Sequence, residues 1–279
     1  MNKFKLIIGG GGFRGFFLIG LNKYLNQKKL KSEIIEYIGV SAGTILNLLI
    51  VSDVPYFLIE IIYNELKKCY EKRECILKKI QYLLNKYLPN DIHKLLNRKN
   101  YKIIVSELYI FGFRKKVIEK FESKSEVIDY ICASCNIPFV TNKSFPPFFK
   151  VNNKYYLDGG FTDILPIDSS SAYPQLVVNL LGLKYNFYKS YFPIENLSKI
   201  KNWSENMVYK NMNDLKNSSS VNITCKPLNS VLNLDSIFWI DSKKKIRNNL
   251  LFYTSFYHIV AFLIITGRSK ASFAAIGRG

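Results

Sequence analysis

The chain has 279 residues, 48% of them hydrophobic, which is enough apolar material for a packed core. Lys and Arg outnumber Asp and Glu by 40 to 21, so the formal net charge is +19. Such a surplus of positive charge favours binding to anionic membranes or to nucleic acid. The lysines are scattered, however, and no RNA- or DNA-binding motif is present, so we predict no nucleic-acid partner. An AT-rich genome would also enrich lysine. The first residues lack the apolar core of a secretory signal, which predicts an intracellular protein, cytoplasmic or membrane-associated.

The N-terminal residues predict alternating strands and helices. Phe4 to Ile8 is a short apolar strand that ends in four glycines, and helical spacing of apolar residues follows from Arg14 to Gln27. Glu36 to Ile38 is a second strand, and Thr44 to Ile50 is a second helix. This β-α-β-α order predicts an α/β fold with a mainly parallel central sheet sandwiched by helices.

The middle of the chain continues the alternation. The predicted elements are helices within Val54 to Leu88, a strand from Tyr101 to Ile110 that continues towards Phe113, a helix from Glu126 to Ala133, an edge hairpin from Phe145 to Leu157, and a strand from Leu176 to Leu183. We therefore place a catalytic domain at residues 4–183 and a partly helical C-terminal extension at residues 184–279.

The C-terminal region contains one almost unbroken apolar segment, Leu250 to Thr266, between basic residues. It is slightly shorter than the ~20 residues of a spanning helix. Three interpretations remain open: a helix packed on the core, an interfacial anchor, or a single membrane span.

The pentapeptide Gly39-Val40-Ser41-Ala42-Gly43 lies between the second strand and the second helix. A G-x-S-x-G in this position is typical of a nucleophile elbow, a turn so tight that Gly39 and Gly43 must lack side chains. The serine takes a strained backbone conformation that exposes its hydroxyl. A plain strand–turn–helix with a buried serine is the alternative for this pentapeptide alone.

A glycine-rich loop, Gly10-Gly11-Gly12-Phe13-Arg14-Gly15, follows the first strand. As G-x-G-x-x-G it could bind a dinucleotide, but that site also needs an acidic residue at the end of the second strand, where the serine turn stands instead. The other use is an oxyanion hole, because consecutive glycines let backbone N–H groups face a developing negative charge.

Ser41 needs a base, and the sequence offers a carboxylate and two histidines. Asp158-Gly159-Gly160 stands where a strand ends, and the histidines are His93 and His258. The order Ser41, Asp158, His258 fits an α/β-hydrolase. However, only two strands precede Ser41, and His258 lies within an apolar run rather than on a loop, which argues against a histidine base.

The cysteines give no metal or redox motif. Cys132 and Cys135 have C-x-x-C spacing, but neither a second pair nor a nearby histidine accompanies them. Five cysteines in an intracellular protein predict reduced and mostly buried thiols.

Together, these motifs resemble the patatin-like phospholipase family. The glycine loop, the serine turn and Asp158-Gly159-Gly160 stand in the family's order, and the segments from Ala133 to Pro138 and from Tyr155 to Phe161 look like its intervening sequence. The resemblance spans roughly Lys5 to Asp168; Gly9 departs from it, since many relatives carry an acidic or small polar residue there.

The resemblance implies a serine acyl hydrolase with a Ser–Asp dyad, no metal and no cofactor. Ser41 would be the nucleophile and Asp158 the base, followed at its turn by Gly159 and Gly160. The oxyanion hole would comprise Gly10, Gly11, Gly12, Phe13 and Arg14. Arg14 could instead approach a lipid phosphate or, as we favour, pack the glycine loop.

The expected function is therefore hydrolysis of carboxylic esters in phospholipids or related lipids, at a membrane surface. Two alternatives come from other classes. One is a catalytically inactive lipid- or membrane-binding protein on the same fold, and the other is a dinucleotide-binding enzyme.

Overall fold

A computed structural model describes residues 3–110, 112–168 and 170–180, together with the backbone of residues 220–224. The chain divides into two compact units, Met1–Leu108 with Arg114–Pro227, and Tyr109–Phe113 with Leu228–Gly279. The first unit contains all described residues other than those between Tyr109 and Phe113. The apolar segment Leu250 to Thr266 and His258 lie outside the described residues. No helix among the described residues is long and apolar enough to cross a membrane.

Within these residues, eight strands form one sheet. The strands are β1 (Phe4–Ile8), β2 (Ile34–Val40), β3 (Tyr101–Tyr109), β4 (Gly112–Ile118), β5 (Phe149–Val151), β6 (Lys154–Asp158), β7 (Gln175–Asn179) and β8 (Ser220–Thr224). Their order is β5-β6-β3-β2-β1-β7-β8, and β4 pairs with β3 beside this path. Parallel pairing joins β3 to β2, β2 to β1, β1 to β7 and β7 to β8, whereas β6 is antiparallel to both β3 and β5. The predicted mainly parallel sheet is confirmed.

Helices flank this sheet. They are α1 (Leu18–Gln27), α2 (Ala42–Val51), α3 (Tyr56–Glu71), α4 (Ile76–Tyr87), α5 (Ile92–Arg98) and α6 (Lys124–Ser134), with short 3-10 helices at Gly12–Phe17, Lys31–Glu33 and Gly159–Phe161. The central strand β1 buries Leu6, Ile7 and Ile8 completely, as expected of a parallel strand covered on both faces. Ser123 caps α6, where its hydroxyl accepts the Glu126 N–H at 3.1 Å.

Several element boundaries differ from the predictions. The third strand does not continue towards Phe113; β3 ends at Tyr109 and the chain returns as β4. Gly112, with φ of 127°, supplies a backbone conformation at this return that side-chain-bearing residues rarely adopt. The predicted helix from Arg14 is a 3-10 helix up to Phe17 and α-helical only from Leu18.

Besides β4, two further elements were not predicted, and one boundary stays open. The helix α5 and the strand β8 are additions to the predicted order, and β8 extends the sheet into the region that we assigned to a C-terminal extension. The predicted edge hairpin is confirmed, since β5 lies at one edge of the sheet. The domain boundary at residue 183 remains a prediction.

The strand register brings two distant parts of the chain to the same level. Val40, the last residue of β2, pairs with Ile104 of β3. The next residue of β3, Val105, pairs with Asp158 at the end of the antiparallel strand β6. Ser41 and Asp158 therefore emerge on either side of β3, one residue step apart.

Candidate active site

Ser41 occupies a strained turn between β2 and α2. Its backbone has φ of 52° and ψ of −127°, outside the regions that non-glycine residues normally adopt. A Cβ on Gly39 would lie 2.6 Å from the Thr44 Cα, and one on Gly43 would collide with the carbonyl oxygens of Ile8 and Gly9. Both glycines are thus required by close backbone approach, as predicted from the pentapeptide.

The Ser41 hydroxyl is hydrogen-bonded to Asp158. Ser41 Oγ donates to Asp158 Oδ2 at 2.5 Å, and the Gly160 N–H donates to Asp158 Oδ1 at 2.8 Å. Ser41 is 6% exposed and Asp158 only 3%. A Cβ on Gly159 would collide with the Ile104 carbonyl, so the turn after Asp158 also needs a residue without a side chain.

The environment of Asp158 changes its acidity. Burial raises the pKa of this carboxyl to about 7, and the hydrogen bonds from Ser41 and Gly160 oppose part of that rise. A carboxylate with a pKa near neutrality is a far better proton acceptor than an ordinary aspartate, because general-base strength follows the pKa of the base. The site therefore combines a positioned hydroxyl with a group able to take its proton.

The glycine loop packs directly against Ser41. A Cβ on Gly10 would lie 3.3 Å from the Ser41 Cβ, and Gly12 has φ of 53°, a left-handed conformation that favours glycine. The 3-10 helix begins at Gly12, with Gly11 as its N-cap, and the first N–H groups of a helix have no partner within it.

Two of the five predicted oxyanion donors have other partners. The Gly10 N–H donates to the Ile164 carbonyl at 3.2 Å, and the Arg14 N–H donates to the Gly11 carbonyl at 3.1 Å. The candidate donors are therefore the N–H groups of Gly11, Gly12 and Phe13. The guanidinium of Arg14 is buried and donates to the Leu180 carbonyl at 3.2 Å, which fits the packing role rather than a contact with lipid phosphate.

The family model for the patatin-like phospholipases matches residues 6–170, more than half of the chain. The chain belongs to this family. The match contains the glycine loop, the serine turn and Asp158, the three features that converge in the structure.

The relatives of this patatin-like protein include lipid enzymes of animals and a virus. It is 26% identical over 175 residues to 1-acylglycerol-3-phosphate O-acyltransferase Pnpla3 of Mus musculus, covering 59% of the chain and 41% of the relative. It is 28% identical over 191 residues to the probable lipid hydrolase 463L of Invertebrate iridescent virus 6, covering 60% of the chain and 63% of the relative. The chain thus spans less than half the length of the mouse relative. The crystal structure of VipD from Legionella pneumophila aligns with this protein at a TM-score of 0.38 and 11% identity. The alignment covers 77% of this protein and 55% of the VipD chain.

An apolar cavity opens beside Ser41 of the patatin-like domain. Ser41 and Ala42 lie in its wall together with Gly12 and Phe13 of the glycine loop. The remaining wall is almost entirely aliphatic or aromatic and comes from the 3-10 helix, α2, α3, α4 and the chain after α6; it includes Phe16, Leu46, Leu49, Ile62, Leu66, Ile76, Ile80 and Ile137. Such a wall suits a hydrocarbon chain and offers little to a polar ligand.

The other candidate residues lie away from this arrangement. Among the described residues, the Asp158 carboxylate has Ser41 and Gly160 as its hydrogen-bond partners, and His93 lies on α5 rather than at the site. The four described cysteines are free, and burial raises the pKa of the Cys132 and Cys135 thiols well above their usual range. The described residues contain no group of three side chains that could hold a metal ion.

Sequence reasoning missed the residues that hold the dyad in place. Ser106 donates its hydroxyl to the Asp158 carbonyl at 2.8 Å, and Ser134 accepts the Ser41 N–H at 2.9 Å. Asn136 accepts the Asp158 N–H through its carbonyl at 2.9 Å. Ser134 and Asn136 lie in the segment that carries the family resemblance, and this was the one sequence signal that could have identified them. Their partners Ser41 and Asp158 are more than 20 residues away along the chain, so no local pattern reveals these contacts.

Proposed function

We propose that the protein is a serine acyl hydrolase that cleaves carboxylic ester bonds of phospholipids or related lipids, with Ser41 as nucleophile and Asp158 as base. The observation that carries the proposal is the 2.5 Å hydrogen bond from Ser41 Oγ to Asp158 Oδ2 at the wall of an apolar cavity. Membership of a family of lipid hydrolases supports the same conclusion.

The proposed reaction proceeds through an acyl-enzyme. Asp158 accepts the proton of the Ser41 hydroxyl as the oxygen attacks the ester carbonyl, and the proton is then delivered to the departing alcohol. The N–H groups of Gly11, Gly12 and Phe13 stabilise the negative charge on the carbonyl oxygen, while the cavity holds the acyl chain. Asp158 then takes a proton from a water molecule as that water attacks the acyl-Ser41 ester, and it returns this proton to Ser41 Oγ as the fatty acid is released.

Acyl transfer is a second candidate for the same intermediate. The mouse relative is named an O-acyltransferase, and an acyl-enzyme can pass its acyl group to an alcohol as well as to water. Adding a lysophospholipid as acceptor separates the two outcomes: a hydrolase releases free fatty acid, whereas a transferase forms a diacyl product.

A fluorophosphonate probe tests the nucleophile, because it reacts covalently with activated serines. We expect wild-type protein to be labelled at Ser41 and to hydrolyse lipid esters, and Ser41→Ala to do neither. Asp158→Asn should remain folded and lose about 10²–10⁴-fold in activity, the usual contribution of a general base. The matched control is Ser52→Ala at the other end of α2, where the hydroxyl donates only to the Leu48 carbonyl.

Three outcomes would contradict the proposal. Folded wild-type protein that is neither labelled nor active would favour the inactive lipid-binding alternative. Labelling at a serine other than Ser41 would show that a different serine is the nucleophile. Loss of activity in His258→Ala with retention in Asp158→Asn would replace the dyad by a histidine-based site.

A further inference from the structure

The residue Ser134, at the C-terminal end of α6, connects the nucleophile to the sheet. Its side chain is completely buried. Its hydroxyl oxygen accepts the backbone N–H of Ser41 at 2.9 Å and donates its proton to the Ile104 carbonyl of β3 at 2.7 Å. One hydroxyl therefore ties the strained turn to the neighbouring strand.

The contact bears on the part of the backbone that is strained. Ser41 has φ of 52°, a conformation that persists only where the surroundings hold it. The Ser41 carbonyl is held separately, because it accepts both the Thr44 hydroxyl at 2.6 Å and the Thr44 N–H at 3.0 Å. The orientation of the Ser41 peptide, and with it the direction of Oγ, thus depends on Thr44 and Ser134.

The same short segment also holds the base. Two residues after Ser134, the Asn136 carbonyl accepts the Asp158 N–H at 2.9 Å. The Asn136 side-chain amide donates to the carbonyls of Tyr156 and Pro147, at 3.0 and 3.1 Å, and so fixes this segment against β6. Ser134 to Asn136 consequently touch both members of the dyad, whose positions are separated by 117 residues.

We propose that Ser134 is a positioning residue for the reaction: by accepting the Ser41 N–H, it holds Ser41 Oγ in hydrogen-bond alignment with Asp158. The inference rests on the proposed function and adds a residue to it. Ser134 touches no substrate and acts through the backbone of the nucleophile, while the Asn136 carbonyl fixes the base from the same segment.

Loss of this hydrogen bond has a consequence beyond packing. Without it the Ser41 peptide can relax and Oγ spends less time within reach of Asp158 Oδ2. The hydrogen bond from Ser41 lowers the pKa of Asp158 against the effect of burial, so misalignment should raise that pKa further. Among the described residues, the Cys135 thiol interacts with Asp158, and burial keeps this thiol neutral by raising its pKa.

The test compares Ser134→Ala, which removes the acceptor, with Ser134→Thr, which keeps a hydroxyl, on the full chain. We expect Ser134→Ala to lose about 100-fold in kcat, as for a displaced reacting group, with KM within about twofold of wild type. Its fluorophosphonate labelling rate should fall in parallel, and the acid limb of its pH–rate profile should move to higher pH. Ser134→Thr should recover most of the loss, and Ser52→Ala should behave as wild type.

If Ser134→Ala does not fold, Ser134→Cys replaces it, since a thiol has similar size but is a weak acceptor. Wild-type kcat, labelling rate and acid limb in either variant would overturn the proposal. Equal loss in the Ala and Thr variants with an unmoved acid limb would also overturn it, because that pattern indicates packing alone. These outcomes require active wild-type protein, whereas failure of the proposed function appears as inactive wild type.

Discussion

At the scale of single residues, the most unusual group is the Asp158 carboxyl, which the fold makes a weaker acid than an ordinary aspartate. Burial raises the pKa of Asp158 from 3.8 to about 7, so near neutral pH a substantial fraction is ionised and able to accept the Ser41 proton. A catalytic histidine supplies the same proton affinity in many serine hydrolases through its ordinary pKa. Here burial brings the pKa of an aspartate into that range, so the proposed Ser41–Asp158 dyad needs no imidazole.

The raised pKa predicts the pH dependence of activity. Because the ionised form of Asp158 is the proposed base, kcat/KM should fall as the pH drops through about 7, tenfold for each pH unit below that value. The measurement is kcat/KM for a soluble ester between pH 5 and 9. An acid limb centred near pH 4 would mean that Asp158 titrates as an ordinary carboxyl and that burial does not shift its pKa.

The same shift predicts the pH dependence of stability. Between about pH 4 and pH 7 the folded protein retains a proton on Asp158 that the unfolded chain releases, so this group makes the free energy of unfolding fall as the pH rises. Asp158→Asn removes that effect, and we expect the variant to exceed wild type in stability by up to a few kcal/mol at pH 8. Urea unfolding at pH 5 and pH 8 checks this prediction; a stability difference that is the same at both pH values would contradict it.

At the scale of elements, close packing of α2 against β1 and β2 creates the site. No side chain fits at Gly43, because the carbonyl oxygens of Ile8 and Gly9 lie against it, and this contact sets the N-terminus of α2 beside the glycine loop. Phe16 of that loop's 3-10 helix packs edge-on against Tyr63 of α3, with ring centroids 4.6 Å apart. The cavity is consequently bounded by helices that also support the candidate oxyanion donors.

The helix α3 allows a matched test of the cavity. Leu66 lies in the cavity wall, whereas Ile61 is on the same helix, 38% exposed and outside the wall. We expect Leu66→Phe to lower kcat/KM for long-chain esters by about tenfold or more relative to short-chain esters, since a methylene-sized change in an apolar pocket has effects of this order. Ile61→Phe should leave the ratio unchanged. The check is a series of p-nitrophenyl esters; an unaltered chain-length profile in Leu66→Phe would place the acyl chain elsewhere.

At the scale of the whole molecule, the net charge of +19 bears on which lipid surfaces the protein binds. A strongly cationic protein is attracted to anionic lipid surfaces, and salt weakens the attraction by screening. We expect the protein to cosediment with phosphatidylserine-containing vesicles at ~50 mM salt and to dissociate at ~500 mM, with little binding to pure phosphatidylcholine.

The apolar segment Leu250 to Thr266 could add a hydrophobic contribution to membrane binding, and the same experiment separates it from the contribution of charge. An anchor based on apolar burial would resist both high salt and a carbonate wash, because neither removes the hydrophobic contribution. Binding that is equally strong to neutral vesicles at high salt would show that charge is not the main attraction.

Local sequence was sufficient for most of the elements and for the choice of the candidate reacting groups. Ser41 is identified by its two glycines, whose spacing has meaning only in a tight strand-to-helix turn, and Asp158 by its place before Gly159-Gly160 at a strand end. Short apolar runs predicted β1, β2 and α2, and turn residues predicted the edge hairpin, each within a few residues, because these signals lie in neighbouring positions of the sequence. The strand β8 escaped prediction because its partner β7 is distant along the chain, whereas β4 was missed although it follows its partner β3 directly.

By itself, then, the sequence determined the chemistry that is available: a serine in an elbow, an aspartate at a turn and a glycine loop. Only the tertiary structure decided how these groups are used. The register of β2, β3 and β6 brings Ser41 within 2.5 Å of Asp158, and burial of that carboxylate raises its pKa. A long-range hydrogen bond assigns the Gly10 N–H to the Ile164 carbonyl, and another places Ser134 behind Ser41. Distances, burial and pKa values depend on contacts between residues far apart in the chain, and for that reason no local pattern specifies them.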